Sequence, residues 1–270
     1  VIELFDDLGR AVRLRAPARR IVSLVPSLTE TLFALGCNDR VVGATRYCTE
    51  PRGWVERLAR IGGTKNPDLA RIAALQPDLV LINPEENRRA DFEALEAAGL
   101  TLCVVFPRGA GDVPAMLRLL GQLTATQAAA DARARDVAAA LAECESMVAA
   151  PRLRVFCPIW KNPWMSFNRD TYSDDMLWRA GGANIYRAAG ERYCSVRLED
   201  VAQRMPEVIL LPDEPYVFRE KDRPALRALA LTPAWRSERV YFIDGKALTW
   251  YGARTAAGLR TLRRLLGRRR

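Results

Sequence analysis

Short unbroken apolar runs alternate along this chain with stretches whose apolar residues return every three or four positions, and that alternation predicts its elements. The runs at 22–25, 41–45, 79–82 and 102–106 read as buried strands. The segments 90–98 and 113–123 read as helices, the first with Gly99 behind it. In RIVSLVPSLTETLFALG, Pro26 closes a strand, Ser27 is placed to cap a helix with Glu30 three residues on, and Gly36 follows as a C-cap. GGTKNPD predicts a turn into a helix with Pro67 near its first position and Asp68 in its first turn. The stretch before the first run, containing DDLGRAV, reads as a short leader.

The segment 125–148, ATQAAADARARDVAAALAECESMV, has no Gly or Pro and places Val137, Leu141, Cys144 and Val148 on one helical face. It predicts a single amphipathic rod about 35 Å long at the rise of an α-helix. On either side lie two similar segments, LARIAALQPDLVLINPEE (69–86) and LEDVAQRMPEVILLPDEP (198–215). With Pro77 set on Pro206, the helical spacing, the acidic residue after proline, the apolar strand and Glu85 over Glu214 all fall into step. Helix, turn and strand are common in α/β proteins, but this shared spacing predicts one supersecondary unit used twice. Beyond the rod, which Pro151 ends, come RVFCPI, a helix at 173–180, a GG turn, a helix at 224–230, the strand VYFI and a last helix at 256–266. The expected fold is therefore α/β, with two Rossmann-like lobes of mostly parallel strands joined by one long rigid helix. The expected boundaries are 1–122 for the first lobe, 123–150 for the linking helix and 151–270 for the second lobe.

Composition narrows the function. The chain has 270 residues, 49% of them hydrophobic, enough for a sizeable core, and no apolar run approaches the length needed to span a bilayer. Its start lacks the basic and apolar sections of a secretory signal, which fits a cytoplasmic protein or a processed form. Lysine and arginine number 41 against 32 acidic residues, but they are scattered or gathered in the closing RRLLGRRR. That run reads as a solvated tail, and no nucleic-acid footprint is expected. Histidine is absent, which removes the commonest general base and the imidazole metal ligand. Six cysteines form no CxxC pair, and Cys103 and Cys157 fall in apolar runs as small buried hydrophobes. GGTKN and GAGDV lack a phosphate-loop pattern. No enzyme activity and no metal site are expected.

Ligands of open α/β sheets bind beyond the carboxyl ends of the strands. In the first lobe those ends carry Pro26, Ser27, Arg46, Tyr47, residues 83–87 and Pro107. In the second they carry the stretch IWKNPWMSFNRDTY (159–172), Asp213, Glu214, Tyr216 and the late LTWYGAR. The aromatic stretch is too irregular for a strand. It reads either as one wall of a pocket for a large, flat, partly apolar ligand or as a loop that folds its rings under the domain. Trp250 and Tyr251 favour the pocket. Glu85 and Glu86, with Asn87, Arg88 and Arg89, either line a cleft or begin the next helix. As adjacent carboxylates the two are poorly placed for acid and base work on opposite sides of a bond.

Taken together, RIVSLVPSLTETLFALG, VVGATRYC, IGGTKNPDLARIAALQPDLVLIN, DFEALEAAGLTLCVVFP, WRAGGANIY and YGAR resemble the metal-chelate and cobalamin class of solute-binding proteins that serve ABC importers. The resemblance runs from about residue 6 to 266, and NPWMSFNRDTYSDDML resembles the cobalamin-binding, helical-backbone metal receptor subgroup. It implies a monomeric, non-catalytic receptor of the periplasm or cell envelope, with a ligand cleft between its lobes. The implied ligand is cobalamin or a related corrinoid, a small-molecule metal chelate carried as cargo, with no resident cofactor. In the first lobe the candidate ligand residues are Tyr47, Glu85 and Glu86; in the second they are Trp160, Trp164, Phe167, Arg169, Trp250 and Tyr251. Docking to the ABC importer membrane subunits implies an acidic residue on each lobe. Glu199 fits on the second; on the first Ala70 stands where Glu is expected, leaving Asp68 as the substitute. Glu50 stands where the subgroup often has histidine before Pro51, and Thr64 where a tryptophan is expected. These departures keep a ferric siderophore or haem as alternative chelates, for which Arg46, Arg88, Arg169 and Arg254 are available. A cytoplasmic metal-cofactor-handling protein or enzyme is a third reading, supported by the missing export signal and the free cysteines.

Overall fold

The computed structural model describes residues 1–147 and 151–267. Val148 of the expected rod face and residues 268–270 of the basic run therefore lie outside the described residues. The chain forms two compact units. The first comprises Val1–Pro107, Asp112–Asp136 and Tyr251–Ala253, and the second comprises Arg108–Gly111, Val137–Trp250 and the chain from Arg254.

The first unit opens on an antiparallel hairpin of β1 (Ile2–Phe5) and β2 (Ala11–Leu14), not on a featureless leader. Asp6 builds the turn by accepting the N–H groups of Leu8 and Arg10, with Gly9 in the left-handed region at φ +73°. Strict alternation of exposed and buried residues along β2 is the period of a half-buried strand. The main sheet is parallel, in the order β5 (Ala59–Arg60), β4 (Val41–Ala44), β3 (Ile21–Ser23), β6 (Leu79–Ile82), β7 (Leu102–Val104). β6 is buried at all four positions, as a strand covered on both faces must be. Four helices connect and cover these strands: α1 (Pro26–Ala34), α2 (Leu69–Ala74), α3 (Arg89–Ala97) and α4 (Val113–Thr124).

Two helix starts differ from expectation. α1 begins at Pro26, whose fixed φ suits the first helical position, so Val25 is the N-cap and Ser27 makes no capping box. At α2, Asp68 is the N-cap itself and accepts the Arg71 N–H, one position outside the expected first turn. The far end of α1 follows expectation: Gly36 at φ +85° donates to Phe33 O, and Cys37 N–H reaches Leu32 O.

α5 (Gln127–Met147) is an unbroken helix of 21 residues, about 32 Å at helical rise, and it carries the chain from the first unit into the second between Asp136 and Val137. It starts two residues later than the sequence suggests because Ala125, at φ +54°, ends α4 in the left-handed region. Its buried positions are Ala130, Ala134, Val137, Ala140 and Cys144, while Leu141 is only half-buried. Three of these buried positions are alanines, and at Ala130 the space is short. A Cβ added at Gly121 of α4 would stand 2.5 Å from that of Ala130.

The second unit contains, in chain order, β8 (Leu153–Phe156), β9 (Met165–Phe167), α6 (Tyr172–Arg179), β10 (Gly182–Asn184), β11 (Tyr193–Ser195), α7 (Leu198–Gln203) and β12 (Val208–Pro212). A 3-10 helix over Glu220–Leu229 replaces the expected α-helix at 224–230, and is followed by α8 (Pro233–Arg236), β13 (Val240–Ile243), α9 (Lys246–Thr249) and α10 (Thr255–Gly267). Its parallel sheet has the order β10, β8, β12, β13. The aromatic stretch does contain a strand, contrary to expectation: β9 pairs antiparallel with β11, Phe167 opposite Tyr193. Among the described residues no helix is long and apolar enough to cross a membrane.

The repeated segments fold alike. α2 and α7 end at equivalent positions, and the next residue but one, Gln76 or Met205, turns the chain at φ +45° or +50° into β6 or β12. An arginine grips each turn: Arg20 Nε donates to Leu75 O and Gln76 O, and Arg154 Nε to Met205 O. The acidic residue after each proline binds the N–H of that same arginine, Asp78 to Arg20 and Glu207 to Arg154. One supersecondary unit is thus used twice, with its own side-chain clasp.

Candidate functional site

At the carboxyl ends of β3, β6 and β7 the first unit builds a polar network on two asparagines. Asn83 Oδ1 accepts the N–H groups of Glu85 (2.8 Å) and Glu86 (3.3 Å), and its Nδ2 donates to Val105 O (2.8 Å) and the Tyr251 hydroxyl (2.9 Å). Asn87 Oδ1 accepts the Asn83 N–H, while its Nδ2 donates to Leu24 O and Thr64 O. Arg60 Nη1 donates to Thr45 O and Cys48 O, both at 3.0 Å. Lys65 Nζ donates to Glu85 O. These bonds tie the loops after β4, β5 and β6 into one platform. Tyr251 is buried, and burial together with the nearby charge of Glu86 pushes its hydroxyl well above the usual tyrosine range.

In the second unit the loops after β8 and β12 form an aromatic cluster. Trp160 is 43% exposed and stands edge-on to Tyr216, ring centroids 5.7 Å apart. Trp164 stacks on Phe218 at 5.8 Å and 8°. Lys161 Nζ is 2.7 Å from Asp222 Oδ1, which also accepts from the Tyr216 hydroxyl. Against the desolvation that would raise it, the Lys161 ammonium and the Arg219 N–H hold the Asp222 carboxyl below the usual range. After β12, Glu214 accepts the indole N–H of Trp250, whose ring lies 5.0 Å from Lys246 Nζ and 5.6 Å from the Arg254 guanidinium carbon. Burial lifts the Glu214 carboxyl, and the Trp250 bond opposes that lift.

The sequence-selected residues separate on this geometry. Tyr47, Arg169 and Trp160 are exposed, and Glu85, Glu86 and Trp164 are half-buried at strand ends. Phe167 is wholly buried in β9, so its ring belongs to the core and is corrected from ligand contact to packing. Trp250 and Tyr251, 5% and 7% exposed, give almost no ring surface to a ligand; they position Glu214 and Asn83 instead. Within the aromatic stretch Phe167 folds under the unit, while Trp160 stays in water. Asn83 and Lys161 lie at the strand ends expected from the sequence, and their part is to support the loops; an asparagine between a buried strand and Pro84 is the signature of a side-chain-supported turn.

On the docking side, Glu199 lies in the first turn of α7, its side chain 65% exposed and 3.5 Å from Arg197. Ala70 occupies the equivalent position of α2 and is also exposed. Asp68 is exposed but committed to capping α2.

Two α/β units with parallel sheets, connected by long helices, have the architecture of the helical-backbone class of solute-binding proteins. A periplasmic binding protein family model matches residues 21–247, and the chain belongs to that family, whose members are cell-envelope receptors and not enzymes. The vitamin B12-binding protein of Vibrio parahaemolyticus serotype O3:K6 is 26% identical over 220 residues, covering 78% of this chain and 79% of its own. The periplasmic vitamin B12 binding protein BtuF of Vibrio cholerae has the same fold, with a TM-score of 0.82 at 22% identity over 93% of this chain and 97% of its own. The periplasmic heme-binding protein RhuT from Roseiflexus sp. RS-1 superposes with a TM-score of 0.81 at 26% identity, over 92% and 98%.

Proposed function

We propose that this chain is the receptor for a flat tetrapyrrole metal chelate, a corrinoid such as cobalamin or a porphyrin such as haem, which it hands to the membrane subunits of an ABC importer. The observation that carries this reading is the exposed indole of Trp160, held edge-on by Tyr216 beyond the carboxyl end of β8. An aromatic face that the fold leaves in water gains by covering a flat ligand. The names of the curated relatives support the corrinoid form. The heme-binding fold neighbour and the exposed arginines Arg46 and Arg169 support the porphyrin form. Tyr47, Glu85, Glu86, Trp164 and Arg169 complete the proposed ligand residues, and Glu199 is the proposed docking acid of the second unit. The receptor acts as a monomer.

Titrating the purified chain with cyanocobalamin and, separately, with hemin tests the reading, with visible absorbance and tryptophan fluorescence followed together. Saturable binding of one chelate per chain is expected for at least one of the two. Linear, unsaturable changes with both would overturn the proposal.

A further inference from the structure

The positive charge of this chain is not spread evenly. Of its 41 basic residues eight lie in 245–270, a stretch without one acidic residue, and the 33 that precede them nearly balance all 32 acids. Six of the eight are arginines at 260–270. A helix dipole is answered by one or two cations in its last turn, so this number needs another reason.

α10 carries the first three of these arginines on a helix that the second unit holds fast. Gly258 lies against α9, where an added Cβ would stand 2.3 Å from Ala247 O, and the Thr255 and Tyr172 hydroxyls are 2.8 Å apart. Arg239 Nη2 donates to Leu266 O at 3.0 Å and adds a cation at that end. Leu259, Leu262 and Leu266 are buried on the inner side. Arg260, Arg263 and Arg264 are left to the outer side, three and four residues apart and therefore neighbours on one face. Arg260 binds Glu143 through Nε and Nη2, both at 3.0 Å. That bond, with the charge of Arg263 adding to it, holds the Glu143 carboxyl below the usual range. One carboxylate thus answers two arginines. Arg264 is exposed, and among the described residues it has no carboxylate within 4.0 Å.

We infer that this basic face docks the receptor on a bilayer surface carrying anionic phospholipid headgroups. The charge is complementary, and the members of the family are cell-envelope receptors, which work beside a bilayer. The stretch 255–270 has no aromatic residue to stack on a nucleic-acid base, and Leu259, Leu262 and Leu266 face inward, away from any lipid chain. The attachment is therefore one of guanidinium to phosphate, reversible and weakened by salt. Each arginine brought to such a surface is worth about fivefold in affinity. The inference rests on the family and not on which chelate is carried.

Flotation with phosphatidylcholine vesicles, with and without about one-third phosphatidylglycerol, tests it. The wild-type chain should float with the anionic vesicles alone and be released by about 0.5 M salt. R264Q alone should weaken binding about fivefold, and R264Q/R268Q/R269Q/R270Q at least about a hundredfold. R15Q/R19Q/R52Q/R71Q removes the same charge from exposed positions of the first unit and should cost less than about threefold. Equal binding to the two kinds of vesicle, or equal losses in the two fourfold variants, would overturn the inference. Binding of a duplex DNA oligonucleotide without binding of the anionic vesicles would assign the face to nucleic acid and overturn it too. Chelate titrations of both fourfold variants should match the wild type. A wild-type chain that binds neither chelate overturns the receptor reading and leaves the vesicle result standing by itself.

Discussion

Replacing Gly252 by alanine tests how Tyr251–Ala253 is held within the first unit, and with it the Tyr251 hydroxyl that supports Asn83. Gly252 has φ +95°, and a Cβ there would stand 2.1 Å from Thr31 Oγ1 and 3.2 Å from Thr31 Cβ. Thr31 is fully buried, and its hydroxyl is used twice: it donates to Ser27 O at 2.7 Å and accepts the Ala253 N–H at 3.1 Å. It has no empty direction in which to turn. The backbone conformation alone costs alanine about 1–2 kcal/mol. Forcing the hydroxyl aside adds an overpacking term of about 1–3 kcal/mol. Gly252→Ala should therefore lose about 2–5 kcal/mol. Removing the obstacle with Thr31→Ala relieves only the second part, so the double variant should show a favourable coupling of about 1–3 kcal/mol. Urea unfolding followed by both circular dichroism and tryptophan fluorescence measures these quantities, with coincident transitions as the check on two-state behaviour. A Gly252→Ala loss below about 0.5 kcal/mol, the range of an ordinary surface change, would refute the reasoning, as would strictly additive variants.

Asp174 predicts a pH dependence. Its side chain is 1% exposed and 3.3 Å from Arg187, and burial lifts its carboxyl from the usual 3.8 to about 6 despite that neighbour. The folded state then holds the proton more tightly than the unfolded chain, so this stabilisation is full near pH 4 and below and is lost as pH rises through 6. At about 1.4 kcal/mol per pH unit the loss amounts to about 3 kcal/mol. Thermal unfolding of Asp174→Asn beside wild type from pH 4 to 7 should show the variant gaining by that amount, and a pH-independent difference would contradict it. Gln76→Gly and Met205→Gly should each stabilise the fold by about 0.5–1 kcal/mol, since both residues are exposed and both hold a positive φ that glycine adopts freely. A lower urea midpoint in either would count against the shared turn. Glu199→Lys should reduce importer stimulation while leaving chelate affinity unchanged, because a rim charge acts through complementarity with its partner. A changed affinity would place Glu199 in the ligand site instead.

Much of this fold is legible in the sequence because it rests on local rules. A strand buried on both faces leaves a run such as Leu79, Val80, Leu81 and Ile82, and a repeated turn leaves Gln76 and Met205 at the same place before a proline. The period-two pattern of β2 is also present in the letters, but a hairpin this short leaves no run long enough to stand out from a leader. What the letters hide depends on distant partners. β9 is a strand because β11 lies beside it, and Trp250 is buried because Glu214 takes its indole N–H. Aromatic residues at strand ends look alike in sequence whether a far segment covers them, as with Tyr251, or leaves them bare, as with Trp160. The helix α5 shows the same limit in miniature. Its buried face runs through Ala140, while Leu141 is only half-buried, and a small alanine does not mark a face in sequence as a larger apolar residue does.

Two tryptophans of equal exposure provide the most direct measurement of the central claim. Trp160 is 43% exposed beyond β8, while Trp54 is 41% exposed and packs on Phe33 in the last turn of α1, away from the strand end where that helix begins. With whichever of hemin or cyanocobalamin the wild-type chain binds, Trp160→Ala should raise Kd by about tenfold to a hundredfold, the worth of covering one indole face. Trp54→Ala should leave it unchanged. Equal effects from the two substitutions, or none from either, would contradict a chelate captured against the aromatic face of the second unit.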